Sequence, residues 1–395
     1  MPSLLTPLHQ YIWQHRDDDP QRLALAKHGE HAPAVVAAQV AALQKLKRKV
    51  PAWYQPGLYF PAAISVEQAS SERTARFKAA LFSGEKMADL TGGLGVDTFF
   101  FAQRFAASIH VEQNAELSRA VQQNFGQLGT TNVQFVCDTA ESFLEKNTAA
   151  FDLLYLDPAR RDGAGGRVFR LEDCQPDVLK IKDLLLRTAP RVLLKTAPLL
   201  DIRLAMEQLK VVSNVWVVAV DDECREVLYL LERQSPPLNE VPITAVHLLK
   251  DGTVQIFQTS LKEEQQSEVS FAAPQQYLYE PNAAVLKAGA FRSFAARYGL
   301  SKLHPNTHLY TSAEYTTHIP ARVFEIEAVC KYDRKAVQAF IPKGQANIAT
   351  RNFPDRPEQV RQRLALRDGG EVYLFAVTDV EGRKIVVGRK ANEHG

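Results

Sequence analysis

Between Lys86 and Arg233 the chain alternates strand-like apolar runs with amphipathic helical runs, then breaks that rhythm with two strand-like runs set almost back to back. The pattern predicts strands at 86–90, 108–112, 132–136, 152–156, 191–195, 212–220 and 226–232. Helices are predicted at 96–106, 115–126, 139–146, 177–188 and 199–209. Alternation of this kind implies a parallel sheet covered by helices on both faces. Residues 221–225 are too few for a helical crossover, so the last two strands must form an antiparallel hairpin. A dinucleotide-binding dehydrogenase sheet would finish on another parallel strand. The expected class is α/β, with a Rossmann-like seven-stranded sheet that ends in an antiparallel hairpin.

The flanks differ from this region. Residues 1–50 read as helical, and Pro33 to Lys49 has the apolar spacing of an amphipathic helix. That helix ends in Lys45, Lys47, Arg48 and Lys49, either a solvated end that complements the helix dipole or a phosphate contact. Residues 51–66 hold Pro51, Pro56, Gly57 and Pro61 among aromatics and predict an irregular connector. Glu67 to Phe82 reads as a helix leading into the first strand. Ser235-Pro236-Pro237 marks a boundary, beyond which 242–330 mixes strands with a helix near 281–297. A strand (323–330), a helix (334–341), a strand (346–351), a helix (357–366) and a hairpin (371–377, 383–390) close the chain. The expected division is 1–66 helical, 67–235 α/β, and 240–320 and 321–395 small α+β regions.

At 395 residues and 46% hydrophobic, the chain can bury more than one core. A net charge of +2 does not announce a nucleic-acid binder and does not exclude one with a local basic face. Cys137, Cys174, Cys224 and Cys330 show no metal-ligand spacing and no disulfide framework, so a reduced cytoplasmic setting and no metal are expected. No basic stretch followed by an apolar core opens the chain, and no apolar run is long enough to cross a bilayer.

The chemistry-bearing residues gather at the carboxyl ends of the predicted strands. The first strand ends in Asp89, followed by the turn Leu90-Thr91-Gly92-Gly93-Leu94-Gly95 and a helix starting near Val96. A strand, a glycine turn and a helix start surround a small cofactor with backbone N–H groups. The glycines allow close approach and positive φ, and the acid can accept from an ammonium group. The second strand ends in Glu112, placed to accept two ribose hydroxyls or simply a surface acid. Asp138 ends the third, placed to accept from an adenine amino group or to cap the next helix. Its neighbour Cys137 reads as a small core residue. The fourth ends in Asp157-Pro158-Ala159-Arg160-Arg161, and Arg160 can stack on a base or grip phosphate. The loop 162–175 carries Arg167, Phe169 and Arg170, which suit a nucleotide or phosphate-bearing substrate; the alternative is a solvated loop. Lys195 ends the fifth strand, either facing substrate or paired with an acid such as Asp157. Gln68 to Arg73 either closes over the cofactor or caps a helix through Ser70 or Ser71.

Taken as a set, these motifs resemble a bacterial group of class I S-adenosylmethionine-dependent methyltransferases with a C-terminal THUMP-like domain. The resemblance rests on Glu67-Gln-Ala-Ser-Ser-Glu72, Asp89 to Asp97, Asp157-Pro-Ala-Arg-Arg161, Tyr279 to Phe291 and Lys302-Leu-His-Pro-Asn306. In the last domain it rests on Ala346 to Pro354 and Asp368 to Phe375. It implies the seven-stranded methyltransferase sheet, a ferredoxin-like insert near 240–320 and a THUMP-like domain at 321–395. It also implies that Asp89, Thr91, Gly92, Gly93, Gly95, Asp97, Glu112 and Asp138 hold S-adenosylmethionine.

Methyltransferases of exocyclic amines use Asp/Asn-Pro-Pro and an aromatic. By that likeness Asp157, Pro158 and Arg160 are the catalytic corner, although Ala159 and Arg160 depart from the pattern. Arg161, Arg167, Phe169 and Lys195 are the expected substrate contacts. Asp-Pro-Pro-Arg also occurs in RNA uridine C5-methyltransferases, which need a cysteine nucleophile; Cys174 is the one nearby and reads as structural. THUMP domains are associated with RNA modification, so the implied partner is RNA, tRNA or rRNA, methylated at a base nitrogen. Two other readings stay open: methylation of a small metabolite, and RNA binding on a cofactor fold without turnover.

Overall fold

The structure, a computed structural model, describes residues 6–61, 66–160 and 170–391. It divides into two compact units, residues 1–215 with 226–236, and residues 216–225 with 237–395.

The first unit opens with α1 (Pro7–Gln14), α2 (Pro20–Leu25) and α3 (Pro33–Lys49), each starting on a proline whose fixed φ suits the first helical turn. The basic end of α3 is largely tied to the chain itself. Lys45 pairs with Glu67 at 2.7 Å, Lys47 with Asp17 at 3.3 Å, and Lys49 donates to the Glu67 carbonyl. The helix predicted from Glu67 starts later, as α4 (Glu72–Ala80), because Ser71 caps it by accepting from the Thr74 N–H at 3.2 Å.

The alternating region follows as β1 (Gly84–Asp89), α5 (Val96–Phe101), β2 (Phe105–Val111), α6 (Ala115–Gln127), β3 (Val133–Val136), α7 (Ala140–Lys146) and β4 (Leu153–Leu156). A short antiparallel pair, β5 (Ala159–Arg160) and β6 (Cys174–Gln175), comes next. Then come α8 (Val178–Thr188), β7 (Val192–Thr196), α9 (Ile202–Leu209), β8 (Val212–Val220) and β9 (Glu223–Leu231). Strand β1 pairs in parallel with β2 and β4, β2 with β3, and β4 with β7, while β9 runs antiparallel to β7. The hairpin turn is tighter than the spacing predicts: Asp221 and Asp222 alone make it, at φ 53° and 62°, the positive values that match strand twist in a two-residue turn.

The strand count needs correction. The sheet has nine strands in the order β11-β10-β8-β9-β7-β4-β1-β2-β3, not seven. Its two extra strands, β10 (Ile243–Leu248) and β11 (Val254–Thr259), form an antiparallel pair. The physical reason is the apolar run Val215 to Val220. As an outermost strand it would leave an apolar ladder edge in water, and fully buried β10 removes that edge.

The second unit continues with α10 (Leu261–Gln266), β12 (Tyr277–Pro281), α11 (Ala283–Ala288), α12 (Arg292–Tyr298), β13 (Ser301–His304), β14 (Thr307–Ser312) and β15 (Ala321–Cys330). It closes with α13 (Arg334–Gln338), β16 (Asn347–Arg351), α14 (Pro357–Leu364), β17 (Val372–Asp379) and β18 (Gly382–Lys390). The helix predicted at 281–297 is two helices, because Gly289 takes φ 72° and ends α11. Strands 12 to 18 form one seven-stranded sheet, β13-β14-β12-β15-β18-β17-β16. Helices α13 and α14 cover one face through Val337, Val360 and Leu364 on Leu374 and Val387. The other face folds over Leu278, Leu303, Phe324, Phe375 and Val377. Thr307 of β14 donates to the Thr378 carbonyl of β17 at 2.6 Å, so the sheet curls until the strands next to its two margins meet. Among the described residues, no helix is long and apolar enough to cross a membrane.

Candidate active site

A cleft of about 320 Å³ opens at the carboxyl edge of the first unit's parallel strands, lined by the glycine turn and by the acids that end β1, β2, β3 and β4. Asp89, Thr91, Gly92, Gly93, Gly95, Asp97, Glu112, Asp138 and Asp157 all border it. Parallel strands converge there because each βα connection leaves from the same edge.

The glycine turn is shaped first by the chain's own packing. A Cβ on Gly92 would lie 2.3 Å from His110 Nε2, inside van der Waals contact. Gly95 takes φ +83°, and a Cβ there would meet Phe125 and Val121 of α6 at 2.8 Å. His110, buried under the turn, is pushed down to about 4 by burial and is therefore neutral at pH 7. Glu112 is drawn onto the turn, accepting from the Gly93 N–H at 3.0 Å and the Asn114 N–H at 2.8 Å.

Asp89 lies inside the turn, accepting from the Thr91 N–H at 3.1 Å and the Thr98 hydroxyl at 2.6 Å. Burial raises its pKa to about 7, helped by the charges of Asp97 and Asp157 and opposed by those two hydrogen bonds. Asp138 accepts from the Thr139 N–H, the Ser142 hydroxyl and Lys146, and the Lys146 bond lowers its pKa. The N-cap of α7 is Thr139, not Asp138. Cys137 is exposed, contrary to its expected place in the core, while Cys174 is buried.

The Asp157–Pro158 corner is fixed from both sides. The Asp157 N–H donates to Thr91 Oγ1 at 2.6 Å, which ties the corner to the glycine turn. Lys195 Nζ donates to Asp157 Oδ2 at 2.5 Å and reaches Ser70 Oγ at 3.4 Å. The geometry thus carries the pairing alternative for Lys195. Burial disfavours its ammonium, but Asp157, Glu226 and Asp97 outweigh that and hold its pKa above the usual lysine value. Among the described residues, no group takes Asp157 Oδ1. Pro158 is buried, and the backbone of Arg160 pairs with Cys174. Arg161, Arg167 and Phe169 lie outside the described residues.

Behind this corner sits a network that sequence reasoning missed. Lys78, with no exposed side-chain surface, contacts both Glu226 oxygens at 2.9 and 2.8 Å and Asp97 Oδ1 at 3.1 Å. Asp97 also accepts from Ser70 Oγ at 2.7 Å and from the Tyr155 hydroxyl at 2.8 Å. Burial works against the Asp97 carboxylate, yet Lys78 and Lys195, with the Ser70 and Tyr155 bonds, hold its pKa below the ordinary value. The signal was present as a lysine on the buried face of α4 and a glutamate, Glu226, directly before the apolar run that ends β9.

A ferredoxin-like domain family matches residues 277–320, and a THUMP domain-like family matches residues 321–390. The crystal structure of a candidate methyltransferase from Porphyromonas gingivalis W83 is 32% identical with a TM-score of 0.89, covering 98% of this chain and 100% of that one. Two uncharacterised S-adenosylmethionine-dependent methyltransferases, from Mycobacterium tuberculosis strains CDC 1551 / Oshkosh and ATCC 25618 / H37Rv, are each 22% identical over 308 residues. Those matches span 77% of this chain and 80% of each relative.

Proposed function

The chain belongs to the S-adenosylmethionine-dependent methyltransferases that carry ferredoxin-like and THUMP-like modules, and from that premise we propose that it methylates a base nitrogen of RNA by direct transfer. The residues of the cleft fit the donor. Its volume is in the range of small-molecule sites, and its acids stand at successive strand ends beside an open glycine turn. In this reading Asp89 answers the methionine ammonium, Glu112 the ribose hydroxyls and Asp138 the adenine amino group. Thr91, Gly92, Gly93, Gly95 and Asp97 shape the walls between them. The bound donor supplies an electrophilic methyl group on a sulfonium.

The chain's own contribution is positioning. Asp157 Oδ1 accepts a hydrogen bond from the attacking nitrogen, which turns the nitrogen lone pair into the cleft. Lys195 holds the other oxygen, so the carboxylate cannot rotate away. Pro158 fixes the turn, and as the nitrogen gains its methyl group its proton passes to Asp157 Oδ1 and from there to solvent. The observation that carries this reading is the 2.6 Å bond from the Asp157 N–H to Thr91, which joins the acceptor corner to the donor turn. The THUMP domain-like match at residues 321–390 supports RNA as the substrate class.

The test is transfer of a labelled methyl group to RNA from a strain lacking this gene, read by nucleoside mass spectrometry. An N-methylated base is expected. Asp157→Ala should keep donor binding by calorimetry and lose about 100-fold in transfer rate. Label on small metabolites but not RNA would overturn the RNA substrate, and label on a pyrimidine carbon would overturn direct transfer to nitrogen.

A further inference from the structure

The second unit holds a buried carboxylate gripped by two arginines from distant strands. Glu280 of β12 is 3% exposed on its side chain. Its register partner on β15, Arg322, donates to Oε2 from Nε at 3.1 Å and again from Nη2. Arg351, at the end of the margin strand β16, donates from Nη2 to Oε1 at 2.5 Å and from Nη1 to the Thr350 carbonyl at 2.8 Å. Strands β12 and β16 are not neighbours in the sheet, so this triad exists only because the sheet curls.

The surrounding residues come from segments that the methyl-transfer site does not use. Asn352 donates to His304 Nδ1 at 3.3 Å and to Thr307 Oγ1 at 3.2 Å. Stretches 279–291, 302–306 and 346–354 therefore meet at one place, and none of them lines the donor cleft.

Charge balance shows what the triad lacks. One guanidinium would neutralise Glu280, and two are present. Their side chains are 42% and 38% exposed, and among the described residues the second positive charge has no acidic partner besides Glu280. Both keep N–H donors that no described group takes. A guanidinium already held in plane by a carboxylate presents its remaining donors as a fixed fork, the geometry that matches two oxygens of a phosphate. Forks this exposed suit one contact among several along a polyanion rather than capture of a single free ion.

We infer that Arg322 and Arg351, set by Glu280, form a backbone-phosphate site for RNA on the second unit. This rests on the RNA reading above. The site reads no bases: it positions the chain on its substrate through sequence-independent, salt-sensitive contacts.

The experiment measures binding of the full chain to a fluorescein-labelled, mixed-sequence RNA oligonucleotide by anisotropy across a salt series. In Glu280→Gln/Arg322→Gln/Arg351→Gln, three neutral amides replace the triad, so no buried charge is stranded. Its slope of log affinity against log salt should fall by about one, the net charge the triad carries. Affinity near roughly 0.1 M salt should drop about tenfold. Glu280→Gln alone keeps both guanidiniums and unmasks the charge the carboxylate offset, so its slope should be no smaller than that of the wild type. Circular dichroism melts establish folding. If the triple variant does not fold, Arg322→Lys/Arg351→Lys keeps the charges and loses the forks; it should keep the slope and bind several-fold more weakly. A folded triple variant, or in its place a folded lysine pair, with wild-type affinity would overturn the site while leaving RNA as substrate. Wild-type protein that binds no RNA would overturn both. Displacement of the oligonucleotide by millimolar inorganic phosphate would reassign the triad to a free anion.

Discussion

Asp89 carries two conflicting demands. Burial raises its pKa from 3.8 to about 7, so the folded chain keeps a proton there that the unfolded chain releases near pH 4. The contribution of Asp89 to stability is therefore greatest below the unfolded value and is lost as pH rises from about 4 to 7. A cationic amino group on the donor compensates the carboxylate, so donor binding near pH 6 should release a proton. Calorimetry at pH 6 in buffers of different ionisation enthalpy should give different apparent heats, converging above pH 8. Equal heats at pH 6 would remove the ammonium role from Asp89. Asp89→Asn should lose this buffer dependence, together with the loss of stability between pH 4 and 7. At this scale the sequence was informative where polarity interrupts a pattern. Asp89, Glu112, Asp138 and Asp157 each follow an apolar strand, and all four border the cleft. The reasons for the glycines were less legible, because His110, Val121 and Phe125 reach the turn from other elements.

Three elements meet at Lys78: its own helix α4, α5 through Asp97, and β9 through Glu226. Ser70 extends the contact to Lys195 at the end of β7. Breaking one partner of a buried ion cluster strands the others in a low-dielectric interior. Lys78→Met should therefore destabilise the fold by about 3–5 kcal/mol in denaturant unfolding. Adding Glu226→Gln should recover part of that loss, since one stranded carboxylate is removed. An unchanged midpoint in Lys78→Met would show that the cluster contributes nothing. The elements themselves were readable from periodicity, and the hairpin from the five residues between its strands. The partnership of Lys78 with Glu226 was not, because 148 residues separate them and no local pattern links a helix face to a distant strand. The nine-strand count was hidden for the same reason: Ile243–Leu248 reads as a strand, but nothing in it names the sheet it joins.

For the molecule as a whole, the cleft at the strand edge and the basic triad occupy different compact units of one chain. With a near-neutral total charge of +2, any attraction for the proposed RNA must come from local placement of charge rather than from net charge. On the reading proposed here, the donor rests on the glycine turn with its reactive centre toward Asp157 and Pro158. A crystal structure of the full chain with S-adenosylhomocysteine is the test. The expected result places the ribose on Glu112, the amino-acid end by Asp89 and the sulfur facing the Asp157–Pro158 corner. A ligand bound elsewhere, or one whose sulfur turns away from Asp157, would contradict it.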